Sequence, residues 1–365
     1  MISSFFKILI STSFAVNSSL VGYGSSDAVL PSKNQELFYM GFELALRQNF
    51  SQDQLKQKLI TINSSNGSAL ASQKVCEELI QKGSELIVGF PTSHEALLAA
   101  KISKQNNKFA IFAGAGHKDL GEMGPKIITT GESMIESVKQ SINFIKQLKL
   151  GRKGVVIVNP FAVFSQNQAD VLKEVLRNDN KLDITFVNLD KDKTLTSSDL
   201  QLIKASEFTI ITPYADETVR FLEQFRENKI DLPIITNSSW TTGDLESIRR
   251  YLVERKTPLY SSTLWLKGAP ESKYFEQLVL KTYGREAVSE IAYGYDLGII
   301  VRELLKILPY NYNSDDILNA FLKIKCFENT TSGKLCFNPK GGHSLRKIFF
   351  VQFNKTNFSK VKLSK

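Results

Sequence analysis

The sequence predicts an α/β protein of two similar doubly wound, Rossmann-like lobes, and three observations carry that expectation. Between Ser84 and Leu120 two strand, loop and helix units follow one another, each with a short loop of small residues. A second series beginning at Gly154 repeats the alternation. A third section from Leu259 adds strands and helices after both series are complete, which suggests that the chain crosses back between them. Continuous apolar runs separated by helices are the pattern of a parallel sheet covered on both faces.

In chain order, residues 18–22 read as the first strand. A Gly-rich loop follows at Gly22-Tyr-Gly24-Ser-Ser, then a helix over 35–48 with apolar positions at Leu37, Met40, Ala45 and Leu46. The next strand and helix fall at 59–62 and 69–81. The third strand, 85–90, ends at Pro91-Thr-Ser-His94, where Thr92 and Glu95 form a capping box that opens a helix at the strand's carboxyl end. The fourth strand, 108–112, runs into Ala113-Gly-Ala-Gly-His117, and Ser133 with Glu136 is a capping pair for the helix through Ile142, Phe144, Ile145 and Leu148. The second series has strands at 154–158, 184–187, 208–212 and 233–236. Beyond it lie a strand at 259–266, helices around 275–283 and 288–308, and a final strand at 347–353.

A chain of 365 residues with 42% hydrophobic content is long enough for two domains and excludes global disorder. The net charge of +9 comes from 46 basic residues interspersed with 37 acidic ones, so it reads as a general surface bias and no nucleic-acid partner is expected. Lys7, the apolar stretch 8–14 and the small-x-Ala sequence Ser13-Phe-Ala15 read as a signal peptide over residues 1–15, the other reading being an extension of the first strand. No later stretch has the length of a membrane span, so no transmembrane segment is expected in the mature chain. Cys76 reads as a small core residue. Cys326 and Cys336 flank the turn-rich segment 328–333, whose folding as a hairpin would allow a disulfide in an oxidising compartment; two free thiols are the other reading.

Ligands of doubly wound sheets sit outside the carboxyl ends of the strands. In the first series these ends carry Thr92, Ser93 and His94, and Gly114, Ala115 and Gly116, where N–H groups at a helix N-terminus suit a carboxylate. In the second they carry Phe164, Tyr214, Ser238 and Trp240. Tyr214 and Trp240 read either as stacking platforms or as rings packed under their own loops. His94 and His117 read either as a ligand or metal contact or as loop histidines in solvent; with no third metal ligand evident, neither a metal nor a cofactor is expected. No P-loop, nucleophile elbow or paired helix histidine is present, and Gly114-Ala-Gly116 lacks the third glycine of a dinucleotide site, so no enzyme is expected.

Tyr293-Gly-Tyr-Asp296 before an amphipathic helix, then Phe327 to Gly333 and Leu335-Cys-Phe337-Asn-Pro-Lys-Gly341, resembles the C-terminal pattern of the type I periplasmic binding proteins. The likeness is to the leucine/isoleucine/valine-binding branch that serves ABC transporters. The Val88-Gly89 strand end and the loop from Ala113 to Gly116 fall in the same order, so the resemblance spans nearly the whole chain through order and spacing. It implies a clamshell with one lobe of residues 16–136 and 258–325 and another of 137–257 and 326–365, joined by three crossovers and closing by hinge motion. It further implies a soluble periplasmic protein that captures a small ligand, amino-acid-like or a carboxylate, and delivers it to an ABC transporter permease, the ligand's carboxylate being held at the first lobe's loops. A sensing or regulatory module of the same fold that engages a protein partner is the other function the resemblance allows. Amino-acid binders of this branch carry an acidic residue after the last strand of the second series, whereas Thr236-Asn-Ser-Ser-Trp-Thr241 offers none. With Ser238 in that place an ammonium would be buried unpaired at a cost of several kcal/mol, so the expected ligand has a carboxylate-like end and an apolar body without an obligatory ammonium.

Overall fold

The computed structural model describes residues 20–26, 32–64, 70–177, 179–241, 248–354 and 358–361; the expected signal peptide lies outside them. The first unit runs β1 (Leu20–Ser26), α1 (Ser32–Leu46), α2 (Gln52–Lys58), β2 (Leu59–Ser64), α3 (Ala71–Gln81), β3 (Ser84–Gly89), α4 (Ser93–Gln105), β4 (Phe109–Phe112) and β5 (Ile127–Glu132). The second runs α5 (Met134–Leu148), β6 (Lys153–Val158), α6 (Val163–Leu176), β7 (Asp183–Asn188), α7 (Ser197–Lys204), β8 (Phe208–Ile211), α8 (Val219–Glu227), β9 (Ile234–Thr236), α9 (Arg249–Glu254) and β10 (Leu259–Thr263). The chain then returns through α10 (Lys273–Tyr283), α11 (Ser289–Ile307), α12 (Ser314–Ile324), β11 (Cys326–Thr330), β12 (Gly333–Phe337) and β13 (Gly342–Leu345), and ends in β14 (Phe349–Phe353) and β15 (Phe358–Lys360).

Among the described residues the strands form two sheets, ordered β11-β12-β13-β5-β4-β3-β1-β2 and β15-β14-β10-β9-β8-β6-β7. Setting aside β11 to β15 leaves β2-β1-β3-β4-β5 in one sheet and β7-β6-β8-β9-β10 in the other, all parallel. The two lobes are therefore doubly wound with the same strand order. Each has its topological switch point beside its first strand, which places ligand-accessible crevices at the carboxyl ends of β1 and β3 and of β6 and β8.

Successive side chains of a strand point to opposite faces. In the first sheet Leu86, Val88, Phe109 and Ile111 pack into one core with residues of α1 and α11, while Ile87, Ala110 and Phe112 pack into another with residues of α3 and α4. The contact of α1 with α11 is unusually close. A methyl group on Gly294 would lie 1.9 Å from Phe38 O, and one on Gly41 would lie 2.0 Å from Ile291 O, so only glycine lets the two backbones touch. The second sheet is likewise sandwiched, with Val155, Ile157 and Ile211 on one side and Val156, Val158 and Ile210 on the other.

Several expectations need correction. Gly22 to Ser26 is not a loop but the body of β1. A methyl on Gly22 would meet Ser84 Oγ at 2.6 Å and one on Gly24 the Phe90 ring at 2.2 Å, so these glycines serve close packing inside the sheet. The lobe boundaries also shift. Helix α5 packs into the second lobe through Met134, Val138, Ile142 and Ile145, so the first crossover falls at Ser133 and not after residue 136. Strand β10 pairs with β9, so residues 259–263 belong to the second lobe. Strands β11 to β13 extend the first sheet beyond β5 and bury Phe327, Leu335 and Phe337 in its core, so residues 326–345 belong to the first lobe. Ser133 does stand at the N-cap of α5, but its side chain makes no capping bond, and Glu136 pairs instead with Lys139.

The cysteines sort as two pairing residues and one core residue. Cys326 and Cys336 face each other across the β11–β12 hairpin and are joined by a disulfide, while Cys76 is a buried free thiol.

Two stability measurements follow from this packing. Gly294→Ala should cost about 2–3 kcal/mol through forced separation of α1 from α11, read as a lowered urea midpoint. Cys326→Ser/Cys336→Ser should cost roughly 2–3 kcal/mol by releasing the hairpin's loop constraint, and a reductant should produce the same loss in the unsubstituted protein.

Candidate functional site

The first wall of the cleft is built at the start of α4. Thr92 is its N-cap: its hydroxyl accepts from Glu95 N at 3.3 Å, and Glu95 Oε2 accepts from Thr92 N at 3.1 Å. The other carboxylate oxygen accepts from Ser26 N and Ser26 Oγ, both at 2.9 Å, which ties the end of β1 to the same turn. Glu95 is fully buried, and removal from water pushes its carboxyl above the usual range despite these donors. With Thr92 engaged in the cap, the neighbouring Ser93 hydroxyl is buried without a hydrogen-bond partner. It stands at the first position of a helix, where the dipole favours negative charge. Beside it, the loop after β4 is held open by Gly114, whose φ is +76°, and whose N–H donates to Thr130 Oγ1 at 2.9 Å.

The second wall is aromatic. Phe164, in the first turn of α6, and Tyr214, after β8, stack with ring centroids 5.2 Å apart and planes at 25°. Glu217 fixes that loop, accepting from Tyr214 N at 3.0 Å and from Asn159 Nδ2 at 2.8 Å. Ser238 follows β9 and donates from Oγ to Glu132 Oε1 at 3.2 Å.

These walls meet in a pocket of about 50 Å³ lined by Thr92, Ser93, Gly114, Ala115, Phe164, Tyr214 and Ser238 of the expected residues, together with Phe38, Pro91, Ser239 and Tyr293. A water needs roughly 10–15 Å³ by this measure, so the two walls are drawn closely together. A larger groove of about 640 Å³ is lined by Leu266 to Glu271, Lys347, Phe349 and Phe358 to Lys360, and none of these residues follows β1, β3, β6 or β8. The strand ends and not size identify the site.

Three expected residues do not line the pocket. His94 is one residue into α4 beyond Ser93 and half-buried. Gly116 is buried one residue behind Ala115, where an added methyl would face Glu132 O at 3.2 Å. Trp240 is fully buried and donates from Nε1 to Pro213 O at 3.1 Å. The short 3₁₀ turn of Ser238–Thr241 brings the indole back into the second lobe's core, so Trp240 packs beneath its own loop. His117 caps another short 3₁₀ turn, accepting from Asp119 N at 3.2 Å, and its carbonyl contacts His343 Nε2 at 3.0 Å. Among the described residues, no cluster of three or more histidine, cysteine or acidic side chains is placed to hold a metal.

Sequence reasoning missed Phe38, Tyr293 and Glu132. Tyr293 was visible as part of Tyr293-Gly-Tyr-Asp296, but nothing in that spacing signals that its ring reaches the cleft. Glu132 ends β5 and is mostly buried; burial pushes its carboxyl up, against the opposing influence of Arg346 and the Ser238 and Ser137 hydroxyls. A carboxylate therefore does stand beside Ser238, supplied by a crossover segment and not by the loop after β9.

Neither a family model nor a curated relative matches the sequence. Solved structures match over nearly the whole chain. A leucine binding protein from Thermotoga maritima superposes with a TM-score of 0.80 at 14% identity, covering 93% of this chain and 97% of that one. A branched-chain amino acid transporter substrate binding protein from Streptococcus pneumoniae, in complex with isoleucine, gives 0.77 at 16% identity over 93% and 97%. A solute binding protein of an ABC transporter from Rhodopseudomonas palustris, in complex with 3,4-dihydroxy benzoic acid, gives 0.73 at 17% identity over 94% and 95%. The fold is the two-lobed one shared by these substrate-binding proteins, as the sequence resemblance implied.

The capping network offers a direct check. Thr92→Val removes the cap and leaves Glu95 with two fewer contacts, and should destabilise the protein by about 1–2 kcal/mol, measured by chemical denaturation at neutral pH.

Proposed function

We propose that this protein is an extracytoplasmic solute-binding protein that captures a small carboxylate-bearing ligand between its lobes and passes it, chemically unchanged, to an ABC transporter in the membrane. The observation that carries this reading is the pocket formed by the facing strand ends of the two sheets, with the unpartnered Ser93 hydroxyl at the start of α4 on one side and the Phe164–Tyr214 pair on the other. The first wall suits a carboxylate and the second an apolar or aromatic body. The neighbours of this fold support the reading, since isoleucine and 3,4-dihydroxy benzoic acid each combine those two parts. Export rests on residues 1–15 as a signal peptide and is supported by the disulfide between Cys326 and Cys336. No helix among the described residues is long and apolar enough to cross a membrane.

Glu132 alters the choice among carboxylates. Its carboxylate contacts the pocket-lining Ser238, so an α-ammonium entering there would find a counter-charge, and α-amino acids return as ligands alongside aromatic acids. L-isoleucine, L-leucine and 3,4-dihydroxybenzoate in millimolar amounts should be compared by thermal shift and small-angle scattering. Binding of at least one of them should raise the melting temperature and reduce the radius of gyration as the cleft closes. If none of the three does either, the reading is wrong. Glu132→Gln should weaken an amino-acid ligand by at least ~2 kcal/mol while sparing an aromatic acid.

The pH dependence has a definite sign. Because burial raises the Glu132 pKa, the group is neutral at a pH where an exposed glutamate is already charged. Amino-acid affinity should therefore increase as pH rises above the ordinary glutamate range, and titration calorimetry should find that increase absent in Glu132→Gln.

A further inference from the structure

Resting on the capture reading, we propose that Arg346 is a positioning residue for ligand capture, whose guanidinium ties the three crossovers together and thereby fixes how closely the two lobes approach. The chain passes between the lobes after β5, after β10 and after β13. Arg346 stands in the third of these passages. Its Nη1 donates to Thr130 O at 3.2 Å, at the end of β5, and its Nη2 lies 3.1 Å from Leu264 O, just past β10. One planar group thus bonds to the backbone of β5 shortly before the first passage and to that of the second.

The guanidinium is itself held from the first lobe. Nη2 donates to Asp296 Oδ2 at 2.8 Å, and both side chains of this ion pair are fully buried. Asp296, in the middle of α11, also accepts from Thr331 N at 2.6 Å and Thr331 Oγ1 at 3.0 Å, which anchors the turn of the disulfide hairpin to the same point. Ser332 Oγ adds a contact to Nη2 at 3.1 Å. The Tyr293 ring, which lines the ligand pocket, lies 6.0 Å from the guanidinium carbon, and the Tyr293 hydroxyl lies 3.4 Å from Leu264 N in the second passage. A ligand pressing on Tyr293 therefore bears on the ring that lies beside this guanidinium. Lysine keeps the charge but presents one nitrogen, and cannot hold carbonyls on two passages in the fixed fork that arginine provides.

The test measures lobe separation without any ligand, so it can fail while the capture reading stands. Spin labels at Lys104→Cys in α4 and Glu174→Cys in α6 report the distance between the lobes; Cys76 is buried and the other two cysteines are bonded to each other. Arg346→Lys should shift the distance distribution to larger values and broaden it. The double variant Asp296→Leu/Arg346→Met removes both charges together, so neither is left buried alone, and should behave in the same way. Leu55→Ala, which loosens the first lobe's core in α2, controls for general destabilisation and should leave the distribution unmoved. Unchanged distances in whichever of the two Arg346 variants folds, or an equal shift in Leu55→Ala, would overturn the proposal.

Discussion

The ion pair of Asp296 with Arg346 is the constraint on which the two-lobed arrangement rests. Taking both charges fully out of water costs several kcal/mol for each ion, and their mutual attraction recovers this only where the remaining donors and acceptors are satisfied. Here Asp296 is met by Thr331, and the two Nη atoms of the guanidinium by Thr130 O and Leu264 O near the ends of strands that leave one lobe for the other, while its Nε is buried without a partner. A polypeptide crossing between two sheets three times exposes carbonyls that neither sheet can pair. A buried guanidinium is the side chain with enough donors in one plane to serve several of them.

The two walls of the cleft differ because their loops are built under different restrictions. In the first lobe, Gly89 has φ +105°, and a methyl there would lie 2.2 Å from Gly24 O, while the next residue, Phe90, is buried with φ +46°. The chain leaves β3 through a cramped turn between β1 and β4, and only small residues and a helix start fit after it. Recognition on that side consequently falls to hydroxyls and the α4 terminus. In the second lobe the loop after β6 spans 159–162 before α6 begins at Val163, and rings project from that helix and from the loop after β8. One strand order used twice thus gives one wall of hydroxyls and a helix terminus beside Phe38 and Tyr293, and another led by Phe164 and Tyr214.

What could be read in the sequence followed the strength of the local signal. Strands β3, β4, β6 and β8 are continuous apolar runs bounded by helices, and the capping box of Thr92 and Glu95 is a short-range pattern that needs no tertiary information. Strand β5 escaped because Ile127-Ile-Thr-Thr-Gly-Glu132 has only two apolar residues, its burial being supplied by β4 on one side and β13 on the other. Strand β1 was cut short for the converse reason: its glycines look like a loop until Ser84 and Phe90 are seen to occupy the space a side chain would take. The hairpin of β11 and β12 was recognisable, but its lobe was not, since β13, which links it to β5, begins at the second of the paired glycines Gly341 and Gly342 and carries little apolar character. Trp240 illustrates a limit of another kind. A large aromatic at a strand end reads as a binding platform, and whether a single 3₁₀ turn brings it inward depends on an acceptor, Pro213 O, that lies far away in sequence.

The missing acid after β9 and the acid at the end of β5 belong to one consideration. Had the loop after β9 carried a carboxylate, a ligand's charge would be met by the second lobe alone and would say nothing about how the lobes stand to each other. Glu132 instead ends β5 just before the first crossover, two residues beyond Thr130, whose carbonyl Arg346 holds, and its carboxylate meets Ser238 from the opposite lobe. Arg346 lowers the Glu132 pKa through its charge while burial raises it, so the same guanidinium that ties the crossovers also influences whether Glu132 is ionised. Neutralising Glu132, by a proton or by pairing with a cation, changes the field around Arg346 and the contact that spans the cleft. Charge recognition and lobe geometry therefore meet at the end of β5, in the Glu132 carboxylate and the Thr130 carbonyl, which is the physical reason a substitution at Ser238 alone cannot separate them.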